Sequence, residues 1–315
     1  MRTTLILIVV LAACSSSTAP KPRSTLLYVA NQRNNSVTVY ARDTNGNVAP
    51  NATIAGASTG IDQPDGLLVD AAGRIYVTRV IPPGILVFAA GASGNVAPMR
   101  VIEGSNTRLG QAVGLALDAA GRLYVSNAGG DTITIYAAGA AGNVAPVAVI
   151  AGSNTRLSGP FGITFDATGR LYVANALTSR ITIYAANASG NAAPVDSVVG
   201  ASTALNGPAG LAFDPSGKLY VSNTNGTVQR VTVYSGGASG NATPVATITG
   251  ANTGLDIPYG LLVDTTGKLY VSNAAFSSLQ YKITVYAAGA NGNIAPIATI
   301  AGSNTGLSAP LFMSF

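Results

Sequence analysis

An all-β chain built as a six-bladed β-propeller, with four antiparallel strands per blade, is what the sequence predicts, on three observations. One passage, written out most plainly at 121–166, recurs six times, its Gly-Asn-x-Ala/Thr-Pro segment returning at intervals of 48, 50 and finally 52 residues. Each copy holds four short apolar runs, which is the mark of propeller blades and not of helical solenoids. The composition agrees: 48% hydrophobic, 9% charged and 37 glycines is too apolar for disorder and too punctuated for long helices.

Taken in order, residues 1–14 (MRTTLILIVVLAAC) give a positive Arg2, an apolar run and a small-residue cleavage site, a secretory signal too short to span a bilayer. The Leu-Ala-Ala-Cys ending resembles the bacterial lipobox, which makes Cys14 the expected site of lipidation and the membrane an expected partner. Residues 15–24 (SSSTAPKPRS) are small, polar and proline-bearing, a flexible tether reaching at most about 35 Å. Ser15 after the cysteine is compatible with the outer membrane of a Gram-negative cell envelope. Cys14 is the one cysteine, so no intramolecular disulfide forms and stability rests on packing.

The propeller is expected over 25–315. Strand b reads LLYVAN, RIYVTR, RLYVSN, RLYVAN, KLYVSN and KLYVSN, and strand c follows, ending at Tyr40, Phe88, Tyr136, Tyr184, Tyr234 and Tyr286. Their β-branched and aromatic content suits strands packed on both faces. Strand d follows each GNxAP-type segment, and strand a is GLLVD, GLALD, GITFD, GLAFD, GLLVD and a final LFMSF. Because the chain opens on strand b and closes on strand a, one blade must combine both termini, which closes the ring and removes free edges.

Asp-x-x-Gly-Lys/Arg at every a-to-b junction reads as a tight hairpin capped by the carboxylate, and the GNxAP segments read as c-to-d hairpins on the same face. The b-to-c and d-to-a connections share the other face. All length variation lies there, the fifth and sixth b-to-c loops being two and four residues longer than the rest. Loops on a rigid scaffold are where binding residues collect, so the candidate site is the channel mouth on this face. One ring of candidates is the end of strand b, where Asn127, Asn175, Asn223 and Asn273 serve either the following loop's backbone or a ligand, and Arg79 breaks the pattern. A second ring, just before strand a, contains Asp65, Phe161 and Tyr259 among apolar residues. Asp65 and Arg79 are read as an ion pair or as recognition groups.

The net charge of +5 is spread around the ring, with Arg74, Arg122, Arg170, Lys218 and Lys268 in one repeated slot, so nucleic acid is not an expected partner. Histidine is absent and Glu103 is the one glutamate, which removes Ser-His-Asp catalysis. The pattern Pro-x-Gly-Leu-x-x-Asp-x-x-Gly-Lys/Arg-Leu-Tyr-Val-x-Asn, then Ile-Thr-Val-Tyr, resembles the NHL repeat, and its YVSN or YVAN core is similar to the YVTN propeller repeat. NHL propellers are typically six-bladed binding platforms, whereas YVTN and lactonase-type propellers are usually seven-bladed. The gluconolactonase family, similar in fold, places a divalent metal at the channel mouth on Glu, Asn and Asp; here Asp65 is the weak stand-in for such a Ca²⁺ ligand. The expectation is a monomeric, membrane-anchored module binding a protein, peptide or glycan with no cofactor and no catalysis. The alternative is a metal-dependent lactonase with its site at the channel mouth.

Overall fold

The structure, a computed structural model, describes residues 25–276 and 278–315; the signal segment, Cys14 and the tether lie outside the described residues. Six antiparallel four-stranded sheets surround an axis, each ordered a, b, c, d, with the a strands touching their counterparts in neighbouring blades. Blade 1 joins the a strand Pro310–Ser314 to Leu26–Asn31, Ser36–Ala41 and Ala52–Ile54. Blades 2 to 6 follow, with a strands Leu67–Val69, Ala112–Leu117, Pro160–Phe165, Pro208–Phe213 and Pro258–Val263.

The core lies between blades, which is why strands b and c are apolar on both faces. Ile133, Ile135 and Ile150 of blade 3, for example, pack with Ile163, Val173 and Tyr184 of blade 4. Blade 1 is closed as the sequence requires: Tyr28 pairs with Ser314, Val29 with Met313 and Asn31 with Pro310. The closing joint copies the ordinary ones. Phe315 meets Tyr270 edge to face at 5.2 Å, as Phe165 meets Tyr124 at 4.9 Å and Phe213 meets Tyr172 at 5.0 Å.

The a-to-b hairpins are built as their residues dictate. Asp118 Oδ1 accepts from the amides of Ala120 (3.0 Å) and Arg122 (2.9 Å), Gly121 takes φ 75°, and Arg122 Nε returns to Asp118 Oδ2 at 2.6 Å. The GNxAP segments differ from expectation. They are not tight hairpins: each leaves strand c, runs beside strand d of the preceding blade and forms a parallel bridge there, Gly142 with Ile102 for example, before returning. Its asparagine then caps the short connector turn that follows that strand. Asn143 Oδ1 accepts from Asn106 N at 2.8 Å, and Asn95, Asn191, Asn241, Asn293 and Asn47 do the same at 2.7–2.8 Å. Glycine is required opposite: a Cβ on Gly152 (φ +116°) would stand 2.5 Å from Asn191 Oδ1. A second link at the same joint is the tyrosine ending strand c, whose hydroxyl donates to a carbonyl of the preceding connector, Tyr136 to Thr107 O and Tyr184 to Thr155 O at 2.5 Å. Phe88 is the exception and lacks the hydroxyl.

Candidate functional site at the axial mouth

The axis is narrow because of a glycine near the start of the a strand in five of the six blades, just before it in blade 2 and third in it in blades 3 to 6. A Cβ on Gly66 would lie 1.9 Å from Val113 O, and on Gly114, Gly162, Gly210 and Gly260 it would lie 2.2–2.5 Å from the matching carbonyl of the next blade. Those carbonyls are spoken for in three blades: Ser126, Ser222 and Ser272 accept from the glycine amide at 2.7–2.8 Å and donate to Phe161 O, Tyr259 O and Leu311 O at 2.5 Å. In the sixth copy Phe312 stands in the glycine slot, and its amide donates directly to Asp65 O at 3.3 Å.

Phe312 also changes what the axis contains. Its ring meets Tyr259 at 5.6 Å and 84°, and Tyr259 meets Phe161 at 5.8 Å and 62°, an edge-to-face chain of three aromatics across the loop-face end of the channel. Toward the hairpin face lies a cavity of about 300 Å³ lined by Leu68, Leu117, Ile163, Phe165, Leu262 and Phe312 together with polar groups such as Thr164 and Ser314. Beside the aromatics Asp65 is only 3% exposed. Gln32 Nε2 donates to its Oδ1 at 2.9 Å, and its amide donates to Thr78 Oγ1 at 3.1 Å. Burial raises the Asp65 carboxyl to about 7, the Gln32 hydrogen bond pulling the other way. The Tyr259 phenol is driven well above its usual value by burial first and by the nearby Asp65 charge second.

The structure therefore brings Asp65, Phe161 and Tyr259 together and adds Gln32 and Phe312, which sequence reasoning did not select. Phe312 was legible in principle, since the last copy reads PLF where four others read P-x-G. The pairing of Asp65 with Arg79 is not formed. Arg79 turns outward to Glu103, and its Nε donates to Pro82 O at 2.8 Å. Asn127, Asn175, Asn223 and Asn273 do not line the mouth either. They are fully buried inside their blades, where Asn175 Oδ1 accepts from Ser158 N at 2.9 Å and its Nδ2 donates to Val173 O (3.1 Å) and Thr182 Oγ1 (3.0 Å). The other three repeat that pattern with the end of the connection arriving from the preceding blade's strand d. Their role is to fasten the loop to the blade.

A divalent metal does not fit these donors. Asp65 is the one carboxylate at the mouth and is held by Gln32, the asparagine amides are used within the blades, and three ring carbonyls accept from serines. Among the described residues no group of three His, Cys, Asp or Glu side chains is close enough to hold a metal ion.

Known proteins place this fold. Among solved structures the chain is similar to a protein of unknown function from Bacteroides caccae (12% identity over 93% of this chain and 98% of that one, TM-score 0.65). It is also similar to the nidogen/laminin complex (16%, 92% and 98%, 0.61) and to a putative 6-phosphogluconolactonase from Bacteroides fragilis (14%, 91% and 84%, 0.59). At these identities the likeness is one of fold alone. No curated protein matches the sequence. The family model of the SMP-30/gluconolactonase/LRE-like region matches residues 3–102, and that of the 7-bladed β-propeller lactonases matches residues 113–304. The second match spans more than half of the chain, and the chain belongs to that lactonase propeller family, with six blades in place of seven.

Proposed function

We propose that the protein is an exported propeller, anchored to a bacterial membrane through lipidated Cys14, that captures a protein, peptide or glycan on its loop face without catalysis. The observation that carries this reading is a set of exposed apolar loop tips: Ile81 (57% exposed), Leu177 (77%), Val228 (50%) and Leu279 (55%), one from each of four b-to-c loops. They stand on the face that holds the aromatic mouth. Apolar side chains gathered on one face and rimmed by polar groups are characteristic of interaction surfaces. The chain supports the same orientation. Thr25 precedes strand b of blade 1 at its hairpin-face end, so the described chain enters the propeller on the face opposite the loop tips.

The test is capture from a solubilised envelope fraction by the full chain and by a Leu177→Ser/Leu279→Ser variant. A partner held by the parent and lost from the variant, at unchanged melting temperature, supports the reading; identical capture by both refutes it.

One observation favours a second reading, hydrolysis of a lactone at the same mouth. The family match is to lactonases, and burial raises the Asp65 carboxyl to about 7 near the Tyr259 phenol. A lactone panel assayed against the parent and Asp65→Asn separates the two. Turnover abolished by Asp65→Asn selects hydrolysis, and no turnover by the parent removes it.

A further inference from the structure

The six blades can be compared at one place outside the mouth, where strand c begins beside the connector arriving from the preceding blade. The first residues of strand c are Ser36, Gly84, Thr132, Arg180, Arg230 and Lys282. In blade 6 the Lys282 side chain lies over the connector, its Nζ 4.0 Å from where a Cβ of Gly254 would be. In blade 2 Arg79 does this work across Gly84. Its Nη1 lies 3.6 Å from the Cβ position of Gly60, the residue of the connector that matches Gly254. The charge is met by Glu103, which ends strand d opposite Gly84. Blade 2 fills its crevice with an ion pair of its own.

Blade 3 has half of that arrangement. Thr132 is short, and the connector position that is Gly60, Gly254 or Gly306 elsewhere is Arg108, exposed and held at φ 57°. The left-handed conformation belongs to the slot and not to the side chain, since Arg156 (φ 57°) and Ala204 (φ 56°) hold it in blades 4 and 5. Ile133 pairs with Ile150, which puts Ala151 opposite Thr132, in the place of Glu103. Between Arg108, Gly130, Thr132, Thr134, Val149 and Ala151 lies a cavity of about 300 Å³. Thr134 closes the floor of the cavity: it is fully buried, its Oγ1 accepts from Asn127 Nδ2 at 3.1 Å and its hydroxyl bonds the Tyr136 phenol. Arg108 makes no salt bridge among the described residues. Arg108, Val149 and Ala151 also border a wider hollow of about 530 Å³ over strand d, so the space continues along the blade.

We propose that this pocket binds the carboxylate of an acidic sugar. Arg108 takes a carboxylate where Ala151 supplies none, and Thr132 donates to a sugar hydroxyl. Blade 2 is the internal template: Glu103 shows which chemical group an arginine in this crevice accepts. An arginine fork and a carboxylate match in shape and charge, and the volume suits one sugar ring with an exit along strand d for a longer chain. This site is separate from the axial mouth and stands whether or not the mouth binds a partner.

The probe is D-glucuronate, titrated by calorimetry into the full chain at low salt, with D-glucose and inorganic phosphate as comparators. Saturable binding of D-glucuronate and none of D-glucose is expected. Arg108→Gly, which installs the residue three other copies use, should weaken binding about tenfold or more. Ala151→Glu should weaken it similarly by giving Arg108 an internal partner. Melting curves confirm that both variants fold. The proposal is overturned by no saturable heat with D-glucuronate, by binding that neither variant changes, or by phosphate binding in its stead.

Discussion

The circumference of this disc and its loop face are made by opposite rules. Around the circumference six asparagines cap six connector turns, five of them 3-10, at 2.7–2.8 Å, without exception. On the loop face the same six blades carry tips as different as Ile81, Leu177 and Leu279, and one of them replaces the usual asparagine with Arg79. Each joint must pass its neighbour's geometry on so that the sixth meets the first, and one poor joint would be felt around the ring. A loop tip answers to nothing but what it touches. The difference teaches that repetition here records closure, and departure from it marks where recognition can reside.

The strongest way to break that comparison is to remove the joint made by the terminus. Deleting Leu311–Phe315 strips blade 1 of most of its inner strand, exposes the partners of buried Leu311 and Met313, and removes the Phe315–Tyr270 contact. Burial of each large apolar side chain is worth about 1.5–3 kcal/mol, and the ring also loses its last seam. The expected outcome is loss of cooperative thermal unfolding, read by circular dichroism. A truncated chain that melts like the parent would falsify six-blade closure.

A second test concerns the buried carboxylate at the mouth. Asp65 has a folded-state value of about 7, above that of an unfolded aspartate, so the folded protein holds the proton more tightly. Its contribution is fully present below about pH 4 and is lost as pH rises through 7, a loss of at most about 4 kcal/mol. Asp70 and Asp166 act in the other direction. Burial alone would raise them, but hydrogen bonds from Arg74 and from Thr168 and Arg170 bring them lower, so their contribution is lost on acidification. Comparing the parent with Asp65→Asn cancels those shared terms. The variant should gain melting temperature relative to the parent as pH goes from 4.5 to 8, and parallel profiles would show that the mouth holds no such carboxyl.

Most of the fold was legible because six copies average out accident. Strand order, hairpin chemistry and closure all follow from residues repeated within the chain. What escaped reading was contact between copies. Asn143 looks like a turn residue in its own blade, and its partner Asn106 belongs to the blade before. The asparagines ending strand b were candidates because they recur near the predicted mouth, yet recurrence was itself the sign of a structural task. Arg79 and Asp65 stand near one another in the chain but on different faces of the problem, since Glu103 reaches Arg79 from strand d of the same blade. Phe312 breaks the glycine rule and fills the axis, a departure visible in the last five residues.

A smaller effect sharpens the contrast within the glycines. Gly152→Ala places a Cβ 2.5 Å from Asn191 Oδ1 at φ +116°, and should cost about 2–4 kcal/mol through the strained backbone and the broken clamp. Gly91→Ala is the control: φ is +72°, but nothing lies within 4 Å, so only the backbone penalty of about 1 kcal/mol remains. Equal losses in denaturant unfolding would mean that the clamp contributes nothing beyond the turn it closes.

The smallest expected effect belongs to the loop tips, and it carries the most weight for function. Leu177 is 77% exposed, so replacing it by serine removes little buried surface and should change stability by no more than about 0.5 kcal/mol. Its lower portion does rest over Gly159, with Cγ 2.8 Å from where a Cβ there would stand. If that contact mattered, Leu177→Ser would unfold at measurably lower denaturant, by 1 kcal/mol or more, and the tip would be a packing residue that merely protrudes. An unchanged midpoint leaves an apolar side chain that the fold does not use, held in water by a loop whose equivalents in other blades carry Ile81, Val228 and Leu279.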